Sequence, residues 1–155
     1  VLVDSGDTHW LETRIERFRT LLLFAQTLRD GAPFSFCDAG CGDGKLLLEA
    51  SKRHDCLWVA GIERDNKLYE RLLKNMSTLA RTTHITLHHG DVLDHDYSRY
   101  DIVFAFGPSV EVAAKLDKLV LRQLKPNGVY IQRWAGAYGS TFIFHNGIDR
   151  GGVDK

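Results

Sequence analysis

Between Phe34 and Trp134 the chain alternates short apolar runs with segments of helical period, and few folds accept that alternation. The apolar runs are Phe34 to Cys37 closing on Asp38, Leu57 to Ile62 closing on Glu63, Asp101 to Phe106, and Val129 to Trp134, and His84 to His88 reads as a further strand by its alternation. Between them, helices are expected over about Lys45 to Arg53, Asn66 to Ala80 and Val110 to Leu124. Leu46, Leu47 and Ala50 are apolar in the first, and Leu68, Leu72, Met76 and Leu79 share one face of the second. Strands alternating with helices at this spacing predict a mostly parallel, doubly wound α/β sheet with helices on both faces. Right-handed crossovers then place a ligand at the carboxyl ends of the strands, where the strand order reverses.

The flanks are read the same way. A helix is expected from about Thr8 to Arg29, with Leu11, Ile15, Phe18, Leu22 and Ala25 inward, stopped by Asp30-Gly31-Ala32-Pro33. Its Arg14, Arg17 and Arg19 read as a solvated face, and Thr141 to His145 as a sixth strand. The expectation is one domain over residues 1–155: an N-terminal helical segment (1–33), a core (34–134), and a C-terminal strand and tail (135–155). Twenty basic and twenty acidic residues cancel, which argues against a broad phosphate-neutralising surface. The longest apolar stretch, Leu21 to Ala25, falls far short of the ~20 residues of a membrane span. No secretory signal pattern opens the sequence, and its three cysteines form no Cys-x-x-Cys pair, so a reducing, cytoplasmic setting is expected. The first residue is Val, which leaves the ends of the chain open.

The chemistry is concentrated in Asp38-Ala39-Gly40-Cys41-Gly42-Asp43-Gly44-Lys45. Glycine at three alternate positions lets the backbone turn sharply and approach a ligand, and the next helix offers free N–H groups. A Walker phosphate loop would need Gly at 39 and Ser or Thr at 46, where Ala39 and Leu46 stand. A dinucleotide fingerprint, Gly-x-Gly-x-x-Gly, fits poorly because Gly44 comes one position early. The segment instead resembles motif I of the class I S-adenosylmethionine-dependent methyltransferases, Asp/Glu-x-Gly-x-Gly-x-Gly. Tyr100 to Val103 and Leu124 to Gly128 look like that family's later motifs, so the resemblance spans about residues 34–134.

That resemblance implies a Rossmann-like fold and S-adenosyl-L-methionine as cofactor. Asp38 would meet the cofactor's α-ammonium, directly or through water, at a turn formed by Ala39, Gly40, Cys41, Gly42 and Gly44. Glu63, followed by Arg64, would accept the ribose hydroxyls, and Asp91 with Val92 would meet the adenine. Phe106, at the end of the fourth strand, would complete the set.

The acceptor is less legible, and no catalytic residue is assigned. Phe104 to Ser109 lacks the Asp/Asn/Ser-Pro-Pro-Tyr/Phe string usual in methylation of base amino groups, which makes a nucleic-acid acceptor less expected than a protein or small molecule. The strings around Gly42 to Lys45, Gly61 to Glu63 and Pro108 to Val110 look like small archaeal and mitochondrial protein-lysine methyltransferases, which suggests a protein lysine. Phe106, Trp134 and Tyr138 could wall an acceptor pocket or simply pack, and His9 and Trp10 could form a lid or start a helix. No metal is expected from His88, His89, Asp91, Asp94 and His95, because alternation sends His88 and His89 to opposite faces. Cys37 reads as a small buried hydrophobe. Two alternatives stay open: an NAD-dependent oxidoreductase, and a non-catalytic S-adenosylmethionine-binding module. The oligomeric state is not legible.

Overall fold

The computed structural model describes residues 2–4, 9–11, 15–78, 83–107, 109–134 and 141–147. A short antiparallel hairpin, β1 (Leu2–Asp4) with β2 (His9–Leu11), precedes helix α1 (Ile15–Leu28). There follow β3 (Phe34–Ala39), α2 (Lys45–Ser51), β4 (Cys56–Glu63), α3 (Asn66–Ser77) and β5 (His84–His89). A single 3-10 turn (Val92–Asp94) leads through a loop to β6 (Ile102–Gly107), α4 (Val110–Gln123), β7 (Val129–Trp134) and β8 (Thr141–His145).

Six strands form one sheet in the order β5-β4-β3-β6-β7-β8. All neighbours are parallel except β8, which runs antiparallel to β7. β3 is central and buried along its whole length, as a parallel strand covered on both faces must be. Phe34, Phe36, Val59, Ile102, Phe104, Val129 and Ile131 meet α1, α2 and α3 on one face. On the other, Cys37, Ala60, Ile62, Val103, Ala105 and Tyr130 meet α4 and two buried tyrosines, Tyr97 and Tyr100. The loop after β5 thus covers sheet with aromatic side chains where a helix could have packed.

The amino ends of the strands are locked by charge. Asp101 accepts hydrogen bonds from the Ser35 N–H and hydroxyl, and pairs with Arg29 at 3.2 Å and Lys125 at 2.8 Å. Arg29 also donates to the carbonyls of Ala32, Pro33 and Asn127. One buried guanidinium therefore ties α1, the start of β3 and the turn before β7.

One expectation needs correction. The helix predicted from about Thr8 starts at Ile15 among the described residues, and Leu11 belongs to a strand. The 3-4 spacing of apolar residues continued back to Leu11, but His and Trp are indifferent helix formers and pair readily in a hairpin. Leu79 and Ala80, where the third helix was expected to end, lie outside the described residues.

Candidate cofactor site

At the carboxyl end of β3 the chain turns through three glycines with φ of 82° (Gly40), 57° (Gly42) and 92° (Gly44), a region that costs other L-residues. They differ in what surrounds them. A Cβ on Gly40 or Gly42 would meet nothing within 4 Å, so the turn presents bare backbone to open space. A Cβ on Gly44 would fall 2.7 Å from both Leu72 and Met76, so that glycine lets α2 start close against α3. Gly61 on β4 belongs with it: a Cβ there would meet Leu47 at 2.5 Å and Cys41 Sγ at 2.7 Å. The turn is laid onto β4 by the N–H groups of Gly40 and Cys41, both donating to the Ile62 carbonyl at 2.9 Å.

Glu63 closes β4 and holds this turn in shape. Its Oε1 accepts from the Gly42 N–H at 2.8 Å, and its Oε2 from the N–H groups of Arg64 (2.9 Å) and Asp65 (2.8 Å). Oε2 is filled by its two donors, while Oε1 keeps capacity for one further donor, so a hydroxyl could still be received there. Asp38 lies one strand away, 3% exposed, with no hydrogen bond from any described donor. Burial and the neighbouring Glu63 charge push its carboxyl up to about 8. Burial, then the charges of Asp38 and Glu63, likewise raise the Cys41 thiol, which stays an inert hydrophobe beside them.

The next strand end carries Asp91, whose Oδ1 accepts from the Leu93 N–H at 2.9 Å and caps the 3-10 turn containing Val92. Arg64 reaches toward Asp91 Oδ2 at 3.9 Å. Behind the turn, the Tyr97 hydroxyl donates to the Val92 carbonyl at 2.6 Å, and His95 pairs with the Tyr100 hydroxyl at 2.7 Å. These supports were not evident in the sequence. His88 meets His95 on one face of β5, while His89 stacks on Tyr69 on the other. Phe106 is half-buried at the end of β6, against the core on the α1 face.

The sheet thus brings Asp38, the glycine turn, Glu63, Arg64, Asp91 and Val92 to the carboxyl ends of three adjacent strands, with Phe106 on the fourth. The side chain of Trp134, and Tyr138 altogether, lie outside the described residues, and His9 and Trp10 are placed in β2. Sequence reasoning also passed over Arg133 of β7, half-buried, whose buried Nη1 has no partner among the described residues. The signal was there: Val129, Ile131 and Arg133 share one face of a strand, and the third is a cation.

Doubly wound sheet and open glycine turn define a nucleoside-binding class of α/β protein. A model of the methyltransferase-domain family matches residues 36–128, more than half of the chain. The chain belongs to that family, and is a class I S-adenosylmethionine-dependent methyltransferase. Among solved structures, it is similar to an RNA methyltransferase from Salinibacter ruber in complex with S-adenosyl-L-homocysteine. That match has a TM-score of 0.72 and 20% identity over 90% of this chain and 95% of the other. It is also similar to a S-adenosylmethionine-dependent methyltransferase from Clostridium acetobutylicum (TM-score 0.65, 14% identity, 79% of this chain and 51% of that one). A third, an amino pentose methyltransferase from Micromonospora echinaspora, gives a TM-score of 0.62 at 19% identity, over 79% of this chain and 51% of that one. No curated protein matches the sequence. Among the described residues no helix is long and apolar enough to cross a membrane.

Proposed function

We propose that this enzyme holds its cofactor on Asp38, the turn from Ala39 through Cys41 to Gly44, Glu63, Arg64, Asp91, Val92 and Phe106, and receives its acceptor at the ends of β6 and β7. The carrying observation is Asp38: a buried carboxyl without a hydrogen-bond partner among the described residues, beside a turn whose Gly40 and Gly42 leave a Cβ-sized gap facing open space. An α-ammonium group suits that carboxylate, whereas a pyrophosphate would be repelled by it. Glu63 keeps acceptor capacity at Oε1 for a ribose hydroxyl while fixing the turn, and Asp91 fixes the backbone of Val92 for an adenine edge. When bound, S-adenosylmethionine supplies a sulfonium-activated methyl group, so the protein's task is to orient the acceptor and keep water away.

Residues 34–134 form the cofactor-binding core in this reading. A cytoplasmic setting belongs to it too, since Cys37, Cys41 and Cys56 are free and buried. A protein lysine is the acceptor the sequence strings suggest, and a cation such as Arg133, in register with Phe106, would favour the neutral, nucleophilic form of its amine.

Calorimetric titration with S-adenosylmethionine, S-adenosylhomocysteine and NAD tests the cofactor assignment. Binding of the first two without NAD is expected; tight NAD binding alone would replace this reading with an oxidoreductase. Transfer of a radiolabelled methyl group to a component of a cell lysate separates an enzyme from a binding module.

A further inference from the structure

We propose that the acceptor carries an oxyanion, a phosphate or carboxylate group, which docks on Arg133 at the carboxyl end of β7 with Arg17 of α1 beside it; this rests on the methyl-transfer reading above. Arg133 lies opposite Phe106 of β6 and Thr141 of β8. Val129 and Ile131 belong to the core on the α1 face, so alternation along β7 puts Arg133 on that face as well. Helix α1 runs against the strands: Arg29 past its last turn bonds the amino-end turn at Asn127, while Phe18 near its start packs edge-on against Phe36 and Phe104. Its first turn, with the exposed Arg17, therefore sits at the carboxyl end, where the glycine turn also opens.

The environment of Arg133 is incomplete. Among the described residues its Nη1 is buried without an acceptor, and no ion pair includes it. Burial and the nearby charge of Arg17 hold its guanidinium below the ordinary range. A buried donor without an acceptor is costly, and a second cation alongside adds repulsion. A structural arginine in this same protein looks different, since Arg29 satisfies its fork on Asp101 and three carbonyls. An oxyanion would relieve both penalties at Arg133, because its oxygens match the planar guanidinium fork and its charge offsets the two cations. Phe106, next in the sheet, belongs to the proposed cofactor site, so an anion bound here would lie at the acceptor side of that site. A chain with no net charge would thus select an anionic acceptor by one local pair of arginines rather than by a broad field.

The test is calorimetric titration of the whole chain with inorganic phosphate and, separately, with acetate, each with and without saturating S-adenosylhomocysteine. At least one anion is expected to bind, and the better ligand distinguishes a phosphate-bearing from a carboxylate-bearing acceptor. R133Q should weaken that binding by roughly tenfold or more and R17Q by a smaller factor, both keeping S-adenosylhomocysteine affinity unchanged. Absence of anion binding, or an affinity that R133Q leaves intact, overturns the proposal. Should R133Q fail to give a cooperative melt, R17Q carries the test, and an unaltered anion affinity in R17Q overturns it. Failure of the wild-type chain to bind S-adenosylhomocysteine would overturn the cofactor reading instead, while the anion titrations without it would still report on Arg133.

Discussion

Asp38 occupies a position where a carboxylate destabilises the free protein. Burial and Glu63 push it up to about 8, whereas in the unfolded chain an aspartate titrates near ~3.9. The native state therefore binds more protons than the unfolded state between those values, and stability falls as pH rises from about 4 toward about 8. Asp38→Asn should remove this slope: urea midpoints of variant and wild type should diverge progressively over that window, with the variant the more stable at the alkaline end. The same substitution should weaken S-adenosylhomocysteine binding by about 1–3 kcal/mol, read by calorimetry. Glu63→Gln should weaken it too, and should lower the melting temperature, because an amide cannot accept at both of the oxygens that now receive Gly42, Arg64 and Asp65. Asp38 and Glu63 were legible as acidic residues closing apolar runs. The backbone bonds of Glu63 were not, since they depend on how the glycine turn folds back over β4.

Among the elements, the glycine turn separates two tasks that look identical in sequence. Gly40→Ala should carry the left-handed backbone cost of ~1–2 kcal/mol without added crowding, because open space faces it, and should also reduce cofactor affinity by placing a methyl group in that space. Gly44→Ala should act mainly on stability, with a left-handed backbone cost of ~1–2 kcal/mol and added crowding of Leu72 and Met76. Thermal melts and S-adenosylhomocysteine titration of both variants check the contrast. The strands of the main sheet were legible because buried parallel strands read as unbroken apolar runs, as Leu57 to Ile62 does. The start of α1 was not, because Leu11 falls at the helical spacing of Ile15 and Phe18 while the chain there is paired with Leu2–Asp4. Arg133 escaped for a related reason: its meaning depends on α1 bringing Arg17 to the same end of the sheet, a tertiary fact that no local pattern carries.

At the scale of the molecule, the two ends of the sheet respond oppositely to protons. Burial alone would raise Asp101, but the Lys125 hydrogen bond, the Ser35 N–H and the Arg29 charge together hold it below the usual carboxylate range. Its contribution is present above about pH 4 and is lost as pH falls through its depressed value. With Asp38 eroding stability toward alkaline pH, the cofactor-free chain should be most stable under mildly acidic conditions. Denaturant midpoints across pH 3–9 (a range of about six units) would show the optimum, and Asp101→Asn should lower the maximum by about 3 kcal/mol, as expected for breaking a buried pair. The Ser35–Asp101 contact also bears on the order of assembly. Residues 34–89 contain three of the central sheet's strands with their connections, so they can pair as soon as they leave the ribosome. The other edge of β3 must wait for β6, which begins more than sixty residues after Ser35 in the chain. During that interval β3, which the finished fold buries along its whole length, has one unpaired edge, a nascent-chain hazard that the late arrival of Asp101 brings to an end.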